Sequence, residues 1–192
     1  MTTTQCKGIA YGEATLRHEL APSRATWPSG LEVLVALCRA PAGMTIPPAV
    51  KGYVGIPFVP QGDRSDGADC RGLQCLVYER ERGIALPRHH EAYDEALLCE
   101  RPTRGDIKRL ADIVAARLEP DWREVPFDEA ELYDSLLLPT AGQPCHIAMY
   151  VGDLHILHVE SGIESVCEDL RAPRWQSRIR RARLFRYAGP RC

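Results

Sequence analysis

The chain has 192 residues, an ordinary apolar content and a formal net charge of only −2, a balance that leaves room for one sizeable core and names neither nucleic acid nor an anionic surface as a partner. No stretch reaches the roughly 18 to 20 uncharged apolar residues of a bilayer-spanning helix, and MTTTQCKGIAYGEATLRHEL lacks a basic n-region followed by an apolar h-region, so neither a membrane span nor a secretory signal is expected. Eight cysteines without an export signal read as reduced thiols rather than as a disulfide framework.

Residues 1–48 read as an N-terminal extension of unassigned role, in which Pro and Gly clusters flank one apolar stretch, Leu31 to Cys38, that predicts a short helix capped by Ser29. Residues 49–192 carry the stronger signals. The apolar segment AVKGYVGIPF is followed by a turn-rich loop, QGDRSDGAD, that delivers the chain to Cys70. Leu73, Leu76 and Val77 then recur at helical spacing, and Gly83 stands where a C-cap glycine belongs. A second helix is expected over Asp106 to Leu118, with Ile107, Leu110, Ile113, Val114 and Leu118 as its apolar stripe and Pro120 as its stop. From there the period changes to two. Leu136 to Leu138, Ile147 to Val151, Ile156 to Val159, Ile163 to Cys167 and Ala182 to Tyr187 are short runs separated by Gly, Pro and Asp. Helices first and strands afterwards indicate an α+β fold on an antiparallel sheet.

Cys70 as the first residue of a helix would have unsatisfied backbone N–H groups and the positive helix terminus facing its sulfur. That environment favours the thiolate, the nucleophilic form, and the same N–H groups can hold an oxyanion. A cysteine before an apolar helix is by itself more often a small buried residue. His146 changes the balance, because it opens the strand HIAMYV and can serve as a base. His146 and His158 are separated by an even number of residues, so an odd hairpin loop of three or five residues puts both on one face, opposite each other and about 5 Å apart at Cβ. His158 can then orient His146 toward Cys70. His89 and His90 fall in a loop, and His155 lies on the other face from His158.

No CxxC pair occurs, and neither Cys70 with Cys75 nor Cys145 with Cys167 has zinc-knuckle spacing, so no metal or cofactor is assigned. Cys38, Cys75, Cys99 and Cys167 read as small buried hydrophobes. The arginines from Arg171 to Arg191 read as a solvated strand face or a contact for an acidic partner, and not as a nucleic-acid site, since no aromatic ladder accompanies them.

With these residues in place, GIPFVPQG, DCRGLQCLVY with GIALPRH after it, and HIAMYVGDLHILH resemble, in that order, the motifs of the NlpC/P60 peptidases. The resemblance covers Val50 to Tyr187 and implies a papain-like fold, with N-terminal helices packed on a central antiparallel sheet of about five to six strands. It implies Cys70 as nucleophile, His146 as base and His158 as the third polar residue. Asp69 matches the acidic residue that shapes the site and can meet a substrate amine. Two departures stand out: Phe58 occupies the place of a tyrosine that assists the oxyanion, and Arg71 replaces a small residue, placing a guanidinium where it can meet a substrate carboxylate or pair with Asp69. LYDSLLL resembles a degenerate PGDLVFF strand with Tyr133 at the glycine position.

The long stretch before the hairpin, DWREVPF, and the ending RWQSRIRRARLFRY resemble the subgroup found in tail-tip proteins of long-tailed phages and gene-transfer particles. That likeness implies hydrolysis of the peptidoglycan stem peptide between D-glutamate and the following diamino acid. It also implies other tail-tip proteins, of the baseplate or hub, as partners, and a virion tail tip assembled in the bacterial cytoplasm as location. A tail-tip plug or adaptor with little or no activity is the rival reading. Acyl transfer or amidase chemistry ranks last, because no apolar acyl groove is readable.

Overall fold

Cys70 opens the principal helix, α1 (Cys70–Arg82). Asp69 before it is extended, and its carboxylate accepts the Gly72 N–H at 2.7 Å, the N-cap arrangement that satisfies an otherwise orphaned donor. At the far end Gly83 takes φ 62° and the Ile84 N–H reaches back to the Tyr78 carbonyl at 3.1 Å, closing the helix. A small hairpin, β1 (Asp63–Arg64) with β2 (Gly67–Ala68), leads into the cap. The loop lies so close to the first turn that a Cβ on Gly72 would stand 1.7 Å from the Gly62 carbonyl oxygen. The glycine of DCRGL is therefore required by backbone approach.

The computed structural model describes residues 48–93, 102–118 and 121–189. The extension over residues 1–47, with its expected Leu31 to Cys38 helix, lies outside them, as do Cys99 and the Pro120 stop. The second helix, α2 (Arg104–Leu118), begins two residues before the expected Asp106. The cause is local: the Asp106 carboxylate accepts the Thr103 N–H at 2.9 Å, while Thr103 Oγ1 accepts the Asp106 N–H at 3.2 Å. Among the described residues no helix is long and apolar enough to cross a membrane.

Six strands form the main sheet: β3 (Trp122–Val125), β4 (Ser135–Thr140), β5 (Gln143–Tyr150), β6 (His155–His158), β7 (Val166–Asp169) and β8 (Arg183–Tyr187). Their spatial order is β3-β8-β4-β5-β6-β7 with antiparallel pairing throughout, as the α+β expectation requires. Two differences from the sequence reading have physical causes. β3 was missed because its two middle residues are exposed and it reads as polar. The strand expected from Ile163 starts only at Val166, because Gly162 turns with φ 85° and leaves Ile163 43% exposed.

The sheet is buried on both faces. Leu73, Leu76 and Val77 of α1 pack with Met149 and Leu157 on one side, and α2 lays Ile107 and Ala111 against Cys145 on the same side. Leu136, Leu138, Ala148, Ile156 and Leu184 face the other way, onto Trp175 and onto Ile179 at the end of the short helix α3 (Gln176–Ile179). At this scale, each large aliphatic side chain taken out of water contributes about 1.5 to 3 kcal/mol.

The C-terminal arginines pair within the chain. Arg183 meets Glu124 at 2.6 Å, Arg171 meets Asp169 at 2.8 Å, and Arg178 meets Glu160 at 2.8 Å. Arg186 donates from Nε and Nη2 to the two oxygens of the fully buried Asp134, at 3.0 and 2.8 Å. The basic run is thus partly neutralised by acids within the chain.

Asp134→Ala strips a buried pair of one partner, and we expect a loss of about 3 kcal/mol in urea unfolding. An unchanged unfolding midpoint would contradict the assignment of Asp134 as the anchor of β8.

Candidate active site

Asp69 fixes where the thiol sits. Its 1%-exposed carboxylate accepts from the Gly72 N–H, from the Gln61 N–H at 3.0 Å and from the Tyr93 hydroxyl at 3.2 Å. Three donors leave it serving as a cap and loop tie, and not as an open contact for a substrate amine. Burial raises the Asp69 carboxyl above its ordinary value, against the lowering effect of those donors.

Cys70, on the first turn of α1, is half-buried against Leu137, Ile147 and Phe185. It lines a small, partly open cleft whose walls are mostly apolar and include Tyr93, Leu110, Val114, Cys145 and Ile147. This small apolar cleft forms where the α2 stripe meets β5, two segments far apart in sequence. Burial first, and the Asp69 charge second, push the Cys70 thiol up to about 12, although the backbone amides of Ile147 and Arg71 favour the thiolate. The expectation of a helix terminus that lowers this thiol is therefore overridden by desolvation.

His146 and His158 share one face, as the even spacing predicts. Tyr150 pairs with Ile156, so the hairpin closes over five residues, 151–155. Continued, that register sets His158 across from Ala148, so the two histidines are diagonal neighbours and not directly opposed, as was expected for an odd loop. Their rings still meet edge to face at 5.3 Å, with His146 Nε2 at 3.3 Å from His158 Nδ1. His146 Nε2 also lies 3.4 Å from Glu160 Oε1, and His158 Nε2 lies 3.6 Å from Glu168 Oε2. We assign the tautomers from these partners. The His158 proton sits on Nε2 toward Glu168, His146 donates from Nε2, and the His146 Nδ1 lone pair is left as a base.

Burial holds the His146 imidazole well below its ordinary value, at about 3, with Glu160 opposing the shift. His158 is lowered by the same burial, against Glu160 and Glu168. Burial alone would raise the Glu160 carboxyl, but His146 and the Arg178 guanidinium outweigh it and hold it below the usual range.

The structure brings the two histidines together, and Cys70 lies against β5 without hydrogen-bonding to either of them. Side chains alternate along β5: Cys145, Ile147 and Met149 face α1 and α2, whereas Ala148 faces Trp175. His146 shares the face of Ala148, and the His158 ring packs on Trp175 at 5.2 Å. Among the described residues no hydrogen bond joins the Cys70 sulfur to either imidazole, in contrast to the expected alignment. The strand itself is the link, since Cys70 packs on Ile147 and the next residue along is His146.

Arg71 is committed elsewhere: its guanidinium donates to the Pro87 carbonyl and to Gln74 Oε1. It does not pair with Asp69, and its side chain lines the same cleft as Cys70. Phe58 is half-buried on the core and bridges Ala68, two residues before Cys70, so its ring carries no donor to an oxyanion. Sequence reasoning missed Tyr93, Glu160, Glu168 and Arg178. Glu160 was within reach of it, since the even spacing that joins His146 to His158 extends two residues further. Cys75 is a buried free thiol, as expected; Cys145 is also buried and free, and Cys167, expected to be buried, is only half-buried.

Comparison with known proteins gives one family. The NlpC/P60 family model matches residues 55–184, well over half of the chain. No curated protein matches. Among solved structures, a Staphylococcus aureus subsp. aureus Mu50 protein described as similar to lipoprotein, NLP/P60 family, has 25% identity and a TM-score of 0.45 over 73% of this chain and 38% of that one. A Bacillus cereus ATCC 10987 protein of the NlpC/P60 family has 18% identity and a TM-score of 0.49 over 85% of this chain and 41% of that one. The NlpC/p60 domain of the peptidoglycan hydrolase SagA has 18% identity and a TM-score of 0.43 over 64% of this chain and 84% of that domain. The chain therefore spans less than half the length of the staphylococcal and Bacillus proteins.

Because His146 is neutral when folded, whereas an unfolded histidine protonates near 6.5, the unfolded state binds more protons between pH 6.5 and about 3. Stability is then complete above pH 6.5 and falls as the pH drops through that window. Urea unfolding at about pH 7.5 and about pH 5 should show this loss in the wild type and a smaller one in His146→Asn. Equal losses in both proteins would contradict the buried neutral imidazole.

Proposed function

This chain belongs to the NlpC/P60 family, and on that premise we propose that it is a cysteine peptidase that hydrolyses the stem peptide of peptidoglycan through an acyl-enzyme on Cys70. One observation carries the reading: a half-buried thiol on the first turn of a capped helix opens onto a cavity whose wall, at Cys145 and Ile147, brackets the histidine of β5. The apolar wall suits the methylene portions of stem-peptide side chains, and the backbone N–H groups at the start of α1 suit the oxyanion.

Both groups are neutral at rest, so proton transfer accompanies attack instead of preceding it. The thiol gives its proton to His146 Nδ1 as sulfur bonds to the scissile carbonyl carbon. Collapse of the tetrahedral intermediate breaks the C–N bond, and the departing amine takes the proton from His146. Water then attacks the thioester with His146 as base, and release of the carboxylic acid restores the thiol. For this cycle the imidazole and the sulfur must approach more closely than they do at rest, a rearrangement that substrate binding would drive.

The finer reading places the scissile bond between D-glutamate and the following diamino acid, and places the protein in a phage or gene-transfer-particle tail tip among baseplate or hub proteins. The residues quoted for that subgroup support it. A second reading, a tail-tip plug or adaptor with a peptidase fold and little activity, is favoured by the placement of the Cys70 thiol and the His146 ring on opposite faces of β5.

Purified cell wall incubated with wild type, Cys70→Ala and His146→Ala separates the two readings. The peptidase reading expects the wild type to release fragments with a free D-glutamate carboxyl, identified by mass spectrometry, and expects each variant to lose at least about 10³-fold in rate. Equal fragment release by wild type and Cys70→Ala, or none from the wild type, would remove it in favour of the adaptor.

A further inference from the structure

We propose that His146, His158 and Glu160 form a binding site for a divalent transition metal of the zinc class, in which the metal takes the two imidazoles and the carboxylate and leaves one position open to water.

The three side chains each offer a ligand atom within 4.8 Å of the others. Their spacing matches what such a metal needs. Bonds of about 2.0 to 2.1 Å in a tetrahedron put neighbouring ligand atoms about 3.3 to 3.4 Å apart. His146 Nε2 is 3.3 Å from His158 Nδ1 and 3.4 Å from Glu160 Oε1. Two edges of the required tetrahedron are thus already set, and a small shift of Glu160 sets the third.

The surroundings agree. His146 and His158 are 6% and 2% exposed and both are neutral, so neither imidazole needs to shed a charge to bind. Glu160 is only half-buried, which gives an entry path and a place for water. His158 Nε2 is buried and makes no hydrogen bond, because Glu168 Oε2 at 3.6 Å is too far. A metal on Nδ1 makes that N–H more acidic and draws it onto the carboxylate, the arrangement that commonly orients metal-binding histidines. The Glu168 carboxylate is held in place meanwhile by the Trp175 indole N–H at 2.7 Å.

Arg178 opposes the metal. Its Nη2 lies 2.8 Å from Glu160 Oε1 and must yield that oxygen, although its bond to the Pro139 carbonyl at 3.0 Å and its stacking on Trp175 at 4.7 Å keep it nearby. A cation beside a cation lowers affinity, so Arg178 tunes the site to be weak and reversible. On the peptidase reading, which this consequence alone rests on, a metal on His146 Nε2 moves the ring proton to Nδ1 and removes the base.

The test is calorimetric titration of the full chain with zinc, together with the absorption spectrum of the cobalt(II) form, carried out on the Cys70→Ala background. Folding of each variant is checked by far-UV circular dichroism. We expect cobalt bands of nitrogen and oxygen ligation, affinity weakened more than about 100-fold by His158→Asn and by Glu160→Gln, and several-fold tighter binding in Arg178→Gln. Zinc binding equal in all variants, a thiolate charge-transfer band, or no binding at all would overturn the proposal. Because binding is read without substrate, its failure is distinguishable from failure of the peptidase reading.

Discussion

Alternation of side chains along β5 decides where every reacting group lies. Each odd residue from Cys145 to Met149 is turned toward α1 and α2, and Ala148 is turned toward Trp175, with His146 on its side of the strand. The thiol therefore meets the strand on one face while both imidazoles stack on the other. A sheet buried on both faces keeps the β5 backbone from flipping, so the closer approach that the proposed cycle needs has to come from side-chain movement of His146 and from the first turn of α1.

The cap at Asp69 sets the second coordinate. Its three donors come from the helix, from the loop before it and from Tyr93, so one carboxylate ties together the segments that surround the cavity. Gly72 completes the tie by letting the Gly62 carbonyl sit directly on the first turn. The cost of this tight packing is a desolvated thiol, which the helix terminus does not compensate. The reactive group is thus held in position but kept protonated.

How much of this was legible depended on whether the signal was local. Cys70 as the first helical residue was readable because a turn-rich loop, helical apolar spacing and a closing glycine all lie within one short segment, although the Asp69 cap itself was not read. The shared face of His146 and His158 was readable from parity. Their diagonal offset was not, because it depends on a five-residue loop whose backbone turns left-handed at Gly152, Asp153 and Leu154, and only the first is a glycine. The side of the sheet facing α1 was equally hidden, since β5 is apolar on both faces and parity alone cannot choose between them. Tyr133 shows the opposite case: it was singled out as standing at a glycine position, and it adopts φ 73° there. It is held by burial of its ring and by the Tyr78 hydroxyl on its carbonyl at 2.9 Å. Arg71 was read as a substrate contact or a partner of Asp69, because sequence does not reveal that its guanidinium donates to the Pro87 carbonyl and to Gln74.

The claim on which the account turns is that, without substrate, the Cys70 thiol and the His146 imidazole are both neutral and are not joined. Measuring the rate of Cys70 carboxamidomethylation by iodoacetamide as a function of pH, with site assignment by mass spectrometry, in wild type and His146→Ala addresses it most directly. The account predicts nearly superimposable profiles that rise only toward alkaline pH. A fast plateau extending below neutral pH in the wild type, abolished in His146→Ala, would show a preformed thiolate–imidazolium pair and contradict it.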